Sequence, residues 1–217
     1  VNLRNFNHVC FDLDGTLVDS SDTIYLATNE ALEKLNLSLN LPKEKFTGMI
    51  GKHFIDIFNE LNINPPNFTE FISVYKSVYF DFIETSILYA DVNEALDYFI
   101  NNDVKISLLT TKAQDQAEKI IRHFSLYEKM NYIMGRRDGM AHKPSPEPLL
   151  KICNDLNAAP SETLMVGDTE LDIQCGKNAN TKTCGVLYGY RTKEQIENEN
   201  PDLIISGLSE LINLHSD

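Results

Sequence analysis

The stretch Val9-Cys10-Phe11-Asp12-Leu13-Asp14-Gly15-Thr16-Leu17 decides how the chain is read. A short apolar run of strand type leads straight into two aspartates, then into Gly and Thr. In open α/β sheets ligands bind beyond the carboxyl ends of the strands, and both carboxylates fall there. Gly15 permits a sharp turn whose backbone N–H groups can converge on an anion. A strand followed by an ordinary Asx turn also accommodates this fragment. A calcium loop of the EF-hand type does not, because Gly15 follows the second Asp directly.

Working outward, residues 8–11, 104–109, 131–134, 163–166, 183–187 and 203–205 read as strands. Most are continuous apolar runs, which suits strands buried on both faces of a parallel sheet. Helical spacings lie between them. Val92, Ala95, Leu96, Phe99 and Ile100 form one stripe, and Asp91 with Glu94 predicts a capping box at its start. Ala113, Ala117, Ile120, Ile121 and Phe124 form a second stripe, and 146–156 predicts a third helix with proline in its first turn. The alternation predicts an α/β fold: a doubly wound, mainly parallel, Rossmann-like sheet with right-handed crossovers.

One spacing breaks the rhythm. The first strand ends near Phe11 and the next begins near Val104, although a crossover needs only about a dozen residues. Residues 20–85 are therefore expected to form an inserted helical cap domain, with 1–19 and 86–217 as the catalytic core domain. Ile24, Ala27, Ala31, Leu32 and Leu35 make one apolar face of the insertion. Residues 68–84, rich in Tyr and Phe, make another, and Asn64-Pro65-Pro66-Asn67 interrupts the chain between them. Tyr75 and Tyr79 share a face that is expected to be core.

A second acidic pair follows the apolar run 163–166, in Gly167-Asp168-Thr169-Glu170-Leu171-Asp172. If Thr169 opens a helix, Asp168 and Asp172 share one side of its first turn. Carboxylates at strand ends suit an oxygen-loving cation such as Mg²⁺; helix capping by Asp168 is the alternative. Thr110 closes the strand Ile106-Ser107-Leu108-Leu109 and offers a hydroxyl at the sheet edge, with Thr111 as its competitor. Lys143 lies in His142-Lys143-Pro144-Ser145-Pro146, where prolines stiffen the approach to a helix and can fix an ammonium that would otherwise be solvated.

The 217 residues carry 19 Lys and Arg against 32 Asp and Glu, a net charge of −13. Such a surface disfavours nucleic acid and anionic lipid, so any anionic substrate must be collected by local positive charge or a metal. No apolar run approaches the ~20 residues of a membrane span. Cys10, Cys153, Cys175 and Cys184 form no C-x-x-C pair, and a reducing, cytoplasmic setting is expected. The first eight residues are polar and no signal peptide is expected among them; the chain starts at Val1 rather than Met, so an initiator or leader removed before this numbering stays open.

Four pieces, DLDGTLVDS at 12–20, LLTTK at 108–112, KPSPEPL at 143–149 and GDTELD at 167–172, resemble in order and spacing the haloacid dehalogenase superfamily of phosphotransferases. From His8 to about Ile205 the chain is similar to capped members of the phosphoglycolate phosphatase type. The family's second motif often reads Thr-Asn-Lys, where this chain has Thr110-Thr111-Lys112. The resemblance implies that Asp12 attacks phosphorus and forms an aspartyl-phosphate, while Asp14 acts as acid and then base. It implies Mg²⁺ held by Asp12, the Asp14 carbonyl and Asp168, with Asp172 in support. Thr110, or its neighbour Thr111, Lys143 and backbone N–H groups near Leu13 and Asp14 would bind the phosphoryl oxygens.

Substrate choice would lie in the cap. Met49-Ile50-Gly51-Lys52-His53 reads as a loop whose Gly51 allows close approach and whose Lys52 meets a second anionic group; an ordinary turn is the equal alternative. The expected activity is hydrolysis of a small phosphorylated metabolite, phosphoglycolate first, with sugar phosphates, nucleotides and pyrophosphate open. A sugar phosphomutase is the rival on the same chemistry, and an inactive phosphate-ligand binding protein the non-enzymatic one. A monomer or homodimer is expected.

Overall fold

A computed structural model describes residues 6–37, 41–65 and 67–216. Pro66 of the expected breaker and residues 1–5 lie outside them. In chain order the elements are β1 (His8–Phe11), β2 (Val18–Asp19), α1 (Ser21–Lys34), α2 (Lys43–Thr47), α3 (Phe54–Leu61), α4 (Phe68–Val78), β3 (Ile87–Leu88), α5 (Val92–Asn101) and β4 (Lys105–Ala113). There follow α6 (Gln114–His123), β5 (Tyr132–Arg136), α7 (Glu147–Asp155), β6 (Thr163–Gly167), α8 (Glu170–Asn178), β7 (Lys182–Val186), α9 (Lys193–Asn198), β8 (Leu203–Ile205) and α10 (Ser209–Ser216). The chain divides into two compact units, Val1–Leu17 with Leu88–Asp217, and Val18–Ile87.

The larger unit is built on a six-stranded sheet in the order β5-β4-β1-β6-β7-β8, with every pairing parallel. This is the doubly wound α/β arrangement expected from the alternating pattern. The sequence order reverses on either side of β1, so the carboxyl end of β1 is the topological switch point where such sheets bind ligands. All four β1 residues are buried, which explains why His8–Phe11 reads as a continuous run rather than an alternation. β4 extends to Ala113, further than its apolar residues predict, and its pairing with β5 shifts register between Leu109 and Ala113.

Two local expectations are corrected. Asp91 does not cap α5: its φ of 67° is left-handed, and its side chain makes no cap hydrogen bond. The expected helix 68–84 ends at Val78 and tightens into a 3₁₀ segment, Tyr79–Thr85. In this smaller unit Tyr75 and Tyr79 are core residues, buried in an aromatic cluster that packs Phe54 against Tyr75 and Phe58 against Phe71, each with centroids 4.8 Å apart. Asn67 caps α4 by accepting from the Glu70 N–H at 3.1 Å.

At the amino end of β1, His8 is fully buried between the Thr163 and Ser107 hydroxyls, at 3.1 and 2.7 Å. Burial first, and Lys105 second, lower its pKa from 6.5 to about 4. Below pH 6.5 the unfolded chain takes up a proton that folded His8 refuses. Its contribution is therefore full above that pH and is lost as pH falls toward 4. Between pH 7 and 4.5 the wild type should lose about 2 kcal/mol more stability than His8→Asn in urea unfolding. Parallel pH curves for the two proteins would remove His8 as the cause.

Candidate active site

β1 does not stop being held where the strand ends. The Asp12 N–H donates to the Val166 carbonyl at 2.9 Å, which fixes the first carboxylate against β6. The chain then closes a tight turn, with Leu17 N–H donating to the Leu13 carbonyl at 3.0 Å. Gly15 in that turn has φ 86°, and a Cβ there would sit 2.3 Å from Oδ2 of Asp168. Glycine is required both by the backbone and by the neighbouring carboxylate.

Oxygens of Asp12, Asp168 and Asp172 come within 4.8 Å of one another, all buried. Lys143 enters this cluster with its side chain 2% exposed, so it is not the solvated lysine of the alternative reading. Its ammonium lies 2.7 Å from Asp12 Oδ1 and 2.5 Å from Asp172 Oδ1. The peptide between Lys143 and Pro144 is cis. Asp172 also reaches back to Thr169, accepting from its N–H at 3.0 Å and its hydroxyl at 2.7 Å. The cap of α8 is thus Thr169, not Asp168. Asp168 instead accepts from the Tyr190 N–H at 2.8 Å and the Thr16 hydroxyl at 3.3 Å.

The electrostatics follow from this crowding. Burial pushes Asp168 up to about 7, and Asp172 adds to the effect. Burial raises Asp12 well above the usual carboxylate range, although Lys143 pulls in the other direction. Burial alone would lower the Lys143 ammonium, but Asp12 and Asp172 outweigh it and raise it. A hard divalent cation fits this donor set. It would stabilise the ionised forms of carboxylates that burial disfavours, and supply the positive charge they lack. The Asp14 carboxylate stands apart from that group and pairs with Lys112, 3.3 Å from its Oδ2.

Lys112 is a site residue that the sequence reading quoted without giving it a role. Thr110 is buried, with its hydroxyl accepting from the Lys112 N–H at 3.2 Å, while Thr111 is half-buried. The register shift in β4 falls in this segment, the usual place for a sheet irregularity to re-aim side chains beside a site.

A second group escaped the sequence reading because its parts lie far apart in the chain. After β7, Tyr188 donates its hydroxyl to the Thr16 carbonyl at 3.0 Å. A Cβ on Gly189 would meet Asp168 Cβ at 2.3 Å. Arg191 makes a two-pronged pair with Glu170, at 2.7 and 3.2 Å. These contacts tie the loop after β7 to the Gly15 turn, to Asp168 and to the start of α8. The signal available was Tyr188-Gly189-Tyr190 directly after a strand's carboxyl end.

In the smaller unit Gly51 has φ 98°, within a turn, and Lys52 pairs with Glu60 at 2.6 Å. The four cysteines are free and buried. Among the described residues no helix is long and apolar enough to cross a membrane.

Known proteins resemble this chain over nearly its whole length. The family model described as haloacid dehalogenase-like hydrolase matches residues 9–186. A phosphoglycolate phosphatase of Aquifex aeolicus is 30% identical, with 95% of each chain covered. A pyrophosphatase PpaX of Halalkalibacterium halodurans is 31% identical, with 96% of each covered. A crystal structure of a haloacid dehalogenase-like hydrolase from Bacteroides fragilis superposes with a TM-score of 0.86 at 27% identity, covering 95% of this chain and 99% of that one. The carboxylate-rich switch point and these whole-length likenesses agree: the chain belongs to the haloacid dehalogenase-like hydrolases and is a phosphatase of that family.

Proposed function

We propose that the chain is a Mg²⁺-dependent phosphatase that hydrolyses a small phosphomonoester of the phosphoglycolate kind through an aspartyl-phosphate on Asp12. The observation that carries this reading is the buried group Asp12, Asp168, Asp172 and Lys143 at the end of β1. Lys143 holds Oδ1 of Asp12, which leaves Oδ2 for attack on phosphorus. As that bond forms, the bond to the leaving oxygen breaks, and Asp14 gives its proton to that oxygen. Asp14, now ionised, takes a proton from water as the water attacks the same phosphorus and releases Asp12. Lys143, the Thr110 hydroxyl, with Thr111 as its alternative, and backbone N–H groups near Leu13 and Asp14 bind the remaining phosphoryl oxygens. Mg²⁺ would be held by Asp12, the Asp14 carbonyl and Asp168 with Asp172 in support, and would supply charge neutralisation there.

Residues 20–85 act as the cap in this reading, with Gly51 and Lys52 meeting the variable part of the substrate. Binding there exchanges Glu60 for a substrate anion on Lys52. Pyrophosphate is the second candidate substrate, favoured by the relative named pyrophosphatase PpaX. The free, buried cysteines are consistent with a cytoplasmic setting.

Release of inorganic phosphate from phosphoglycolate, pyrophosphate and phenyl phosphate, with Mg²⁺ and after EDTA, tests the reading. Turnover should require the metal. No turnover of any small phosphate compound would contradict the hydrolase reading, and full turnover after EDTA would contradict the metal. Mg²⁺ at ten times its dissociation constant should stabilise the native state by about 1.4 kcal/mol. That is roughly a 3–6 °C rise in the first melting transition. Asp168→Ala should shrink the rise; an equal rise in both proteins would put the ion elsewhere.

A further inference from the structure

We infer that Lys112 is a specificity-determining residue that binds a negative charge on the leaving group, so that the site selects phosphate compounds with an anionic leaving group. The inference rests on the proposed roles of Asp12 and Asp14 and deepens them. Three observations place Lys112 there. Its ammonium is 3.3 Å from Oδ2 of Asp14, and the two side chains are only 8% and 11% exposed. Its backbone N–H is tied to the Thr110 hydroxyl, which anchors it to the phosphate-facing strand end. The β4 register shift lies across this segment, and the pairing with β5 resumes only at Ala113.

Asp14 must hydrogen-bond the leaving oxygen to protonate it. A group 3.3 Å from Oδ2 of that carboxylate is then within about 6 Å of a leaving oxygen hydrogen-bonded to Oδ2, and within about 8 Å of one hydrogen-bonded to Oδ1. A phosphate or carboxylate attached one or two bonds beyond that oxygen comes within reach of the ammonium. An anion there gives the little-exposed Lys112 ammonium a second charged partner beside Asp14. In the transfer the Asp12 oxygen–phosphorus bond forms, the phosphorus–leaving-oxygen bond breaks, and the proton passes from Asp14 to the leaving oxygen. Lys52, the other candidate for an anionic substrate group, must first give up Glu60, whereas Lys112 already lies beside the acid.

The test is a ratio. Lys112→Met, Lys112→Gln and Lys112→Arg are compared with wild type for kcat/KM on pyrophosphate, phosphoglycolate and phenyl phosphate. The Met and Gln variants can lose activity on all three through Asp14. The loss on an anionic leaving group should exceed the loss on phenyl phosphate by about 10- to 100-fold, as for a lost charged hydrogen bond. Lys112→Arg should restore most of the ratio. A large effect on pyrophosphate alone identifies a phosphate leaving group, and on phosphoglycolate alone a carboxylate. A ratio unchanged on both substrates overturns the inference, whatever the absolute rates, because a structural or Asp14-supporting role affects all substrates alike. Failure of the underlying mechanism looks different: Asp12→Asn would then keep its turnover.

Discussion

Asp12→Asn is expected to lower kcat by on the order of 10⁴-fold or more, as for other covalent nucleophiles. The amide has the same shape but is a poor nucleophile, and it cannot form the acyl-phosphate. The fold should survive the change. Lys143 keeps Asp172 at 2.5 Å as its partner, and the backbone bond from Asp12 to Val166 does not involve the side chain. Removing one of several crowded carboxylates also relieves repulsion from Asp172 and Asp168, which both oppose ionisation of Asp12. The variant should therefore melt close to wild type while failing to turn over. A variant that retains a tenth of wild-type kcat would contradict the assignment of Asp12.

Lys143→Met should have the largest effect on stability, because it strips the shared cation from two carboxylates that are almost completely buried. The Asp12 side chain is 6% exposed and that of Asp172 is 0%. Breaking a buried ion pair by removing one partner costs about 3–5 kcal/mol. For a chain of this size the first melting transition should fall by roughly 10 °C when Mg²⁺ is absent. Mg²⁺ should recover part of the loss, since it neutralises the same carboxylates. Activity should fall by similar factors on every substrate, because Lys143 is proposed to bind the phosphoryl group that all of them share. A melting temperature unchanged without Mg²⁺ would mean that Lys143 does not neutralise the cluster. Losses confined to one substrate would move it to specificity.

What was legible in the sequence is what short-range pattern encodes. Asp12 and Asp168 each follow an apolar run directly, so their place at a strand's carboxyl end could be read without knowing the pairing. The doubly wound α/β class followed from the alternation of strand and helix, but the strand order and β1 as the switch point depend on the pairing of distant segments. What was not legible depends on register or on distant partners. Lys112 meets Asp14 in a segment where β4 shifts against β5, and no local motif announces that shift. Arg191 meets Glu170 from a loop 21 residues later. Asp172 reads as a metal ligand, yet it also holds Thr169 and Lys143, three tasks on two oxygens. Asp91 failed as a cap because its left-handed backbone serves a tight entry into α5, and side-chain identity alone did not reveal that.

The central claim is that Asp12 carries the phosphoryl group during turnover. Enzyme quenched in acid during steady turnover of phosphoglycolate, then treated with borohydride, tests it directly. An aspartyl-phosphate is reduced to homoserine, whereas a free aspartate is not, and peptide mass spectrometry locates the change. The account predicts homoserine at position 12 in the wild type and in whatever turnover Asp14→Asn retains, and none without substrate. Steady phosphate release with position 12 still aspartate in both proteins, or homoserine at another aspartate, would contradict it.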